Sequence, residues 1–240
     1  MHQRATPSLL SYLLRFYVCR VPPHPGRGRL FRALGSVLMQ TPFGFPLRMS
    51  PADRSCRYVL EGSSPRVAHF IRSLAPGTCL FDVGANLGVF SVLASRTLGA
   101  AGRVIALEPQ ARVYAELLHN LALNACRNVT PFFVAIAQQA GEAAIAPRIA
   151  RHNGTATIVV GEATQPSERV RCVPFGNVEG LDALVGGRPI AVKIDVEGYE
   201  LEVLRALAAS PHMARVTAIV AEIADALLAA HGASRALIEA

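Results

Sequence analysis

At 240 residues and 51% hydrophobic, the chain is long enough for one domain with a sizeable core. No apolar run reaches the roughly 18–20 residues of a membrane-spanning helix, and SLLSYLLRFYVC is interrupted by Arg15 and lacks a small-residue cleavage site, so no signal peptide is expected. The net charge of +7 is uneven: residues 1–72 hold eleven Arg against Asp53 and Glu61, or +9, and the remainder carries −2.

The basic first third suits an anionic contact, whether a membrane surface, a phosphorylated glycan or carrier, or nucleic acid. Nothing in its pattern singles out nucleic acid, and an Arg- and Ala-rich chain also solvates its surface this way. Cys19, Cys56, Cys79, Cys126 and Cys172 are scattered, odd in number and free of any C-x-x-C pair. They read as reduced thiols of a cytoplasmic protein, without a disulfide frame or zinc site.

In chain order, Leu9, Leu10, Leu13, Leu14, Tyr17 and Val18 repeat at helical spacing after Pro7-Ser8, predicting a helix over 8–20. VPPHPGRG breaks it, and RLFRALGSVL predicts a second helix. FPLRMSPADRSCRYVLEG reads as a hairpin turning at Ser50-Pro51-Ala52-Asp53. Residues 65–75 form a short amphipathic helix, and residues 1–64 are taken as a basic cap on a domain of residues 65–240.

From Thr78 the pattern changes. CLFDV, RVIAL, VTPFFVAIA, IAVKIDV and RVTAIVAEI are apolar runs of buried strands. Helical patterns alternate with them over 88–98, 110–124, 198–210 and 224–240, with a short helix in GLDALVGG. TATIVV and RVRCVPF add two strands, split by the loop GEATQPSE. This alternation predicts an α/β fold with a doubly wound, mostly parallel sheet.

In such a sheet, ligands bind beyond the carboxyl ends of the strands. Asp82-Val83-Gly84-Ala85-Asn86-Leu87-Gly88 lies at one such end. Gly84 permits a sharp turn and close approach of a ligand, and Gly88 lets the helix start close against the strand. A dinucleotide fingerprint would need glycine where Asn86 stands, to admit a pyrophosphate. S-adenosylmethionine has no pyrophosphate. Glu108, about twenty residues past the loop, suits a pair of ribose hydroxyls, and Pro109 turns the chain toward its helix.

A second cluster is Val192-Lys193-Ile194-Asp195-Val196-Glu197-Gly198-Tyr199-Glu200. Asp195 ends a buried strand beside the first. Glu197 and Glu200 fall in the first helical turn, where acids are also favoured by the helix dipole.

FDVGANLG, IALEP, HNLALN…NV and VKIDVEGYELEVL, in this order and spacing, resemble the FkbM family of S-adenosylmethionine-dependent methyltransferases over residues 58–225. The resemblance implies a class I, Rossmann-like methyltransferase fold of seven strands and O-methylation of a sugar, glycan or polyketide-type hydroxyl. It implies that Asp82, Gly84, Ala85, Asn86 and Gly88 hold the methionine part of S-adenosylmethionine, with Glu108 and Pro109 at the ribose. Ala135 and Ile136 would border the adenine, with Gln138 as the residue to meet its amine.

For the acceptor's proton, Asp195 is the first candidate, Glu197 the second and Glu222, in VAEI, the third. His119 and His231 are weaker candidates by position, and no metal set joins the acids. Family members continue into an antiparallel hairpin that this chain is expected to lack. That would leave the fifth strand as an open edge where a second copy could pair. A non-catalytic binding remnant and an NAD-dependent oxidoreductase remain as alternatives.

Overall fold

The computed structural model describes residues 9–21, 26–62, 64–147, 156–159 and 167–239. The expected helix start at Pro7-Ser8, the prolines of the first break and most of the loop GEATQPSE lie outside them. The N-terminal elements are α1 (Leu9–Arg20), α2 (Arg27–Leu34), β1 (Val37–Gln40), β2 (Pro46–Met49), α3 (Arg54–Leu60) and α4 (Pro65–Arg72). β3 (Cys79–Val83), α5 (Val89–Leu98), β4 (Arg103–Leu107), α6 (Ala111–Leu123) and β5 (Val129–Phe132) follow. Then come β6 (Ala135–Ile136), β7 (Gly141–Pro147), β8 (Ala156–Val159), β9 (Glu168–Val173) and α7 (Leu181–Val185). β10 (Ile190–Ile194), α8 (Glu200–Ala208), β11 (Val216–Ala221), α9 (Asp225–Ala230) and α10 (Arg235–Glu239) complete the order.

The main sheet is parallel throughout, in the order β11-β10-β3-β4-β5. Every residue of β3 and β10 is buried, as apolar runs interrupted by a single charge each, Asp82 and Lys193, require of strands covered on both faces. Pro131 sits in β5, an edge strand of this sheet, where its missing N–H breaks no central ladder. Order reverses between β3 and β10, and a crevice opens at such a switch point. A second sheet, β6-β9-β7-β8, flanks it. β11 is the other edge of the main sheet among the described residues.

Two expectations for the N-terminal third need correction. The hairpin is β1–β2, with Val37 opposite Met49 and Gln40 opposite Pro46, and its turn is residues 41–45, where Gly44 has φ +84°. The stretch expected as its second limb is helix α3. Ser55, Cys56, Val59 and Leu60 are buried, a spacing of three to four that makes one helical stripe, and Arg57 pairs with Glu61 one turn on at 2.7 Å. The second helix correspondingly stops at Leu34.

Smaller departures lie further on. VTPFFVAIA divides between the two sheets as β5 and β6, and β7 adds a strand ahead of TATIVV. The last helix breaks at His231-Gly232, where Gly232 has φ +67°. The main sheet has five strands among the described residues, where the family resemblance implies seven.

Core residues of the N-terminal elements, Val18, Phe31, Met39, Phe45 and Leu47, join one apolar cluster with Phe90, Val92 and Leu117 of α5 and α6. Asn120 of α6, fully buried, anchors this packing. It accepts from the Arg48 N–H at 2.7 Å and donates to the carbonyls of Arg48 and Leu87 at 3.1 and 2.9 Å. One side chain thus ties β2 to the loop that follows β3. Among the described residues no helix is long and apolar enough to cross a membrane.

Candidate functional site

A cavity of about 400 Å³ opens at the carboxyl ends of β3, β4, β10 and β11, within the size range of small-molecule sites. Its floor is the loop Gly84-Ala85-Asn86-Leu87, and Glu108, Pro109 and Gln110 stand to one side. Val134, Ala135 and Ile136 form an apolar wall. Asp195, Val196, Glu197 and Glu222 stand opposite, and α3 covers the mouth with Arg54, Ser55, Tyr58 and Val59.

The loop is held from three directions. The N–H groups of Gly84 and Ala85 both donate to the Leu107 carbonyl at 3.0 Å. The Gly84 carbonyl accepts from Lys193 Nζ at 2.7 Å. The Asn86 N–H donates to Glu108 Oε2 at 2.9 Å. Asn86 itself has φ +51°, a left-handed conformation that Asn tolerates better than most residues, and its Oδ1 accepts from the Leu87 N–H at 2.8 Å.

The glycines are explained by neighbours in the fold. A Cβ on Gly84 would stand 1.9 Å from the backbone oxygen of Asp195, so this glycine brings β3 and β10 together at the floor of the cavity. A Cβ on Gly88 would stand 2.6 Å from Leu117 Cδ1. Gly88 therefore packs against α6 and does not line the cavity.

Glu108 is 4% exposed. Its other oxygen, Oε1, accepts from the Gln110 N–H at 3.0 Å. Burial pushes its pKa up to about 7, against the pull of those two N–H groups and Lys193. A carboxylate offers about four lone-pair directions, so two remain for hydroxyl donors from the cavity.

Asp82, expected at the methionine part of the ligand, stands behind the cavity wall. It is fully buried, accepts from Ser91 Oγ at 2.6 Å and pairs with Lys193 Nζ at 3.1 Å. Adjacent side chains on a strand point to opposite faces; Val83 lines the cavity and Asp82 does not. Lys193, its register partner on β10, is the residue the motif reading passed over. The signal was present: it is the chain's single lysine, set inside an apolar strand. Burial alone would lower its pKa, but Asp82 and Asp195 outweigh that and raise it, holding the ammonium charged.

Asp195 lies 3.8 Å from Lys193. Burial raises its pKa, opposed by Lys193 and reinforced by Glu222 and Glu200. Glu197 lines the cavity with φ +54°, a strained conformation for a non-glycine residue. Glu200 is instead a structural cap: its Oε1 accepts from the N–H groups of Val196 and Gly198 at 3.2 and 3.0 Å, fixing the turn that carries Glu197.

Glu222 stands 3.0 Å from Tyr58 Oη and 2.9 Å from Ser64 Oγ, and those two hydroxyls are also in hydrogen-bond contact, so their two protons serve three short contacts. An N-terminal helix thus reaches the end of β11. Nothing in the sequence singles out Tyr58, because RSCRYVL reads there as a strand. Burial is the first cause that pushes its pKa up to about 12.

Gln138, expected to meet the adenine amine, stands outside the cavity, where its amide donates to Glu202 at 2.9 Å on the surface. The remaining border of the expected adenine site is therefore apolar. His119 is exposed on α6, and His231 packs edge-on to the Tyr199 ring with centroids 5.8 Å apart; neither lines the cavity. Among the described residues no group of acids, His and Cys could hold a metal ion.

Residues 82–227 match the Methyltransferase FkbM domain, well over half of the chain. The chain belongs to the FkbM methyltransferase family. The match spans the loop, Glu108, Lys193, Asp195 and Glu222. Hexuronic acid methyltransferase AglP of Haloferax volcanii is 26% identical over 151 residues, 62% of this chain and 57% of that protein. The chain thus aligns with little more than half the length of this relative. Among solved structures, precorrin-6y C5,15-methyltransferase of Geobacter metallireducens is similar at 20% identity and a TM-score of 0.40, covering 72% of this chain and 67% of that one. An S-adenosylmethionine-dependent O-methyltransferase of Thermotoga maritima is similar at 12% identity and a TM-score of 0.29, covering 57% and 77%.

Proposed function

We propose that the protein is an S-adenosylmethionine-dependent O-methyltransferase whose acceptor is a hydroxyl of a sugar, glycan or polyketide-type molecule. The observation that carries this reading is the placement of Glu108 and Asp195 on opposite sides of one cavity, with the Gly84–Leu87 loop between them. The donor set fits S-adenosylmethionine. Glu108 keeps lone pairs for ribose hydroxyls, and Val134, Ala135 and Ile136 offer an apolar bed for a base. The relative named for hexuronic acid methylation favours a sugar acceptor.

Bound S-adenosylmethionine would supply a methyl group already activated by its positive sulfur. The residues of the chain have to align an acceptor oxygen with it and accept a proton as that oxygen attacks. Asp195 suits this task, since a buried ammonium beside it steadies its charge. Its raised pKa makes it a better proton acceptor than an ordinary carboxylate. Glu197 and Glu222 offer further hydrogen-bond acceptors for neighbouring hydroxyls of a polyol. The four carboxylates around the cavity suit a cationic sulfonium.

Titration calorimetry with S-adenosylmethionine and, separately, NAD tests the cofactor. Labelled-methyl transfer to a panel of neutral sugars, uronic acids and polyketide alcohols tests the acceptor. Binding of NAD in preference to S-adenosylmethionine would overturn the reading, and cofactor binding with no transfer to any hydroxyl would make the protein a binding remnant.

A further inference from the structure

Helix α1 is apolar on two faces, and among the described residues it packs on one. Leu14 and Val18 are buried in the core, and Ser11 accepts from the Gln40 N–H of β1 at 3.0 Å. On the outer face Tyr12, Leu13 and Phe16 are 53%, 56% and 63% exposed. These three positions lie within one arc of the helix, at offsets of one and four residues. A helix that is apolar all round belongs in an apolar environment, and contiguous exposed apolar side chains mark an interaction surface.

The charges around this face say what covers it. Arg20 is exposed in the last turn of α1, Arg15 is half-buried, and α2 exposes Arg29 and Arg32 beside a 48% exposed Leu30. The two helices are joined by the Tyr17–Phe31 ring contact, with centroids 5.7 Å apart, and by the Arg27 guanidinium over both rings. Residues 1–72 hold eleven Arg and two acids. A self-complementary contact with a second copy would bring two such basic regions together. An anionic bilayer neutralises them instead and receives the aromatic and aliphatic side chains at its headgroup boundary.

We propose that the outer face of α1, with Tyr12, Leu13 and Phe16 flanked by arginines, docks on an anionic lipid bilayer without crossing it. Docking there bears on where the acceptor is met, because α1 packs against α3, whose Arg54 and Tyr58 line the cavity.

Flotation of the full chain with vesicles tests this, comparing pure phosphatidylcholine with vesicles containing about one-third phosphatidylglycerol. The chain should float with the anionic vesicles and not the neutral ones, and raised salt should release it. Leu13→Ser/Phe16→Ser should weaken that binding about tenfold or more, with an unchanged thermal melt, since both side chains are already exposed. Arg15→Gln/Arg20→Gln should weaken it by a smaller factor and reduce its salt dependence. No binding to anionic vesicles, or equal binding by the Leu13/Phe16 variant, would overturn the proposal. So would a dimer in sedimentation velocity that this variant abolishes, since a second copy would then occupy the face.

Discussion

Lys193 and Asp82 are register partners on neighbouring strands, 3.1 Å apart and at most 2% exposed. Neither residue is isolated. Asp82 also takes the Ser91 hydroxyl, and Lys193 also takes the Gly84 carbonyl. The pair therefore connects the start of α5, the central strands and the cavity floor. A buried charge pair is weak evidence for stability, but losing one member leaves the other charged and unsolvated. Here its place beneath the Gly84 loop gives it a positioning role.

Lys193→Met should accordingly destabilise the protein by about 3–5 kcal/mol. Asp82→Asn should cost less, because Asn still accepts from Ser91. A double-mutant cycle by urea denaturation checks the pairing: the double variant should be more stable than the sum of the two losses predicts. Strict additivity would mean that the two charges do not depend on each other.

Gly84→Ala should be far more damaging than its backbone strain alone. Gly77 has a similar φ of +83° with nothing within 4 Å of an added Cβ, so Gly77→Ala should lose only the left-handed strain of roughly 1–2 kcal/mol. At Gly84 the same methyl meets the Asp195 backbone oxygen, and the strand ends must separate. Thermal melts of the two variants, side by side, should show a markedly larger loss at Gly84. Equal losses would show that the β3–β10 contact is soft.

Glu108 makes stability depend on pH. Its pKa rises from an ordinary 4.5 to about 7 on folding, so between those values the folded protein holds more protons than the unfolded chain. The contribution is fully present below pH 4.5 and is lost as pH rises through 7, up to about 3 kcal/mol in all. Glu108→Gln should flatten this part of the stability curve. Cofactor affinity should run the other way in the wild type, strengthening as Glu108 ionises near pH 7, with protons released on binding. Calorimetry in two buffers of different ionisation enthalpy measures that release.

The sequence exposed this site unevenly. The buried parallel strands announce themselves as apolar runs bounded by glycine and acid, so the sheet and the positions of Asn86, Glu108, Asp195 and Glu222 at its edge could be read directly. Which way a side chain points at the end of a strand could not. Asp82 looks like a ligand contact because it adjoins the loop, yet it lies beneath Lys193, whose longer side chain reaches the cavity while Asp82 is taken up by Ser91 and that ammonium. Gln138 looks available because its type is right, yet Glu202 on α8 holds it. The cap was least legible. RSCRYVL contains β-branched and aromatic residues in too short a run to separate the two periodicities, so Tyr58 stayed hidden inside a misread strand.

Tyr58→Phe should report on the acceptor side of the cavity. It removes a hydroxyl bonded to Glu222 and leaves the Gly84 loop and Glu108 untouched. Hydrogen bonds to charged groups are worth about 1.5–3 kcal/mol, so kcat/KM for the acceptor should fall roughly 10- to 100-fold if the Tyr58–Glu222 pair orients it. Affinity for S-adenosylmethionine should stay within about twofold, the scatter expected at a site without direct contact. A fall in cofactor affinity of the same size would place Tyr58 on the cofactor's side.

Asp195→Asn separates proton acceptance from shape. The amide keeps the volume and one hydrogen-bond acceptor but cannot take a proton at neutral pH. Cofactor binding should persist, while kcat falls by about 10²–10⁴, the range for loss of a general base. Lys193 complicates the comparison, since Asp195 helps to balance its charge. Asp82 remains at 3.1 Å to do so, and the fold should survive. The wild-type rate should rise with pH as Asp195 ionises, from above the ordinary aspartate range because its pKa is raised. The variant should lack that limb. A full rate in Asp195→Asn would assign proton acceptance to Glu197 or Glu222, and the same substitution made there, Glu197→Gln and Glu222→Gln, would then identify which of the two carries the limb.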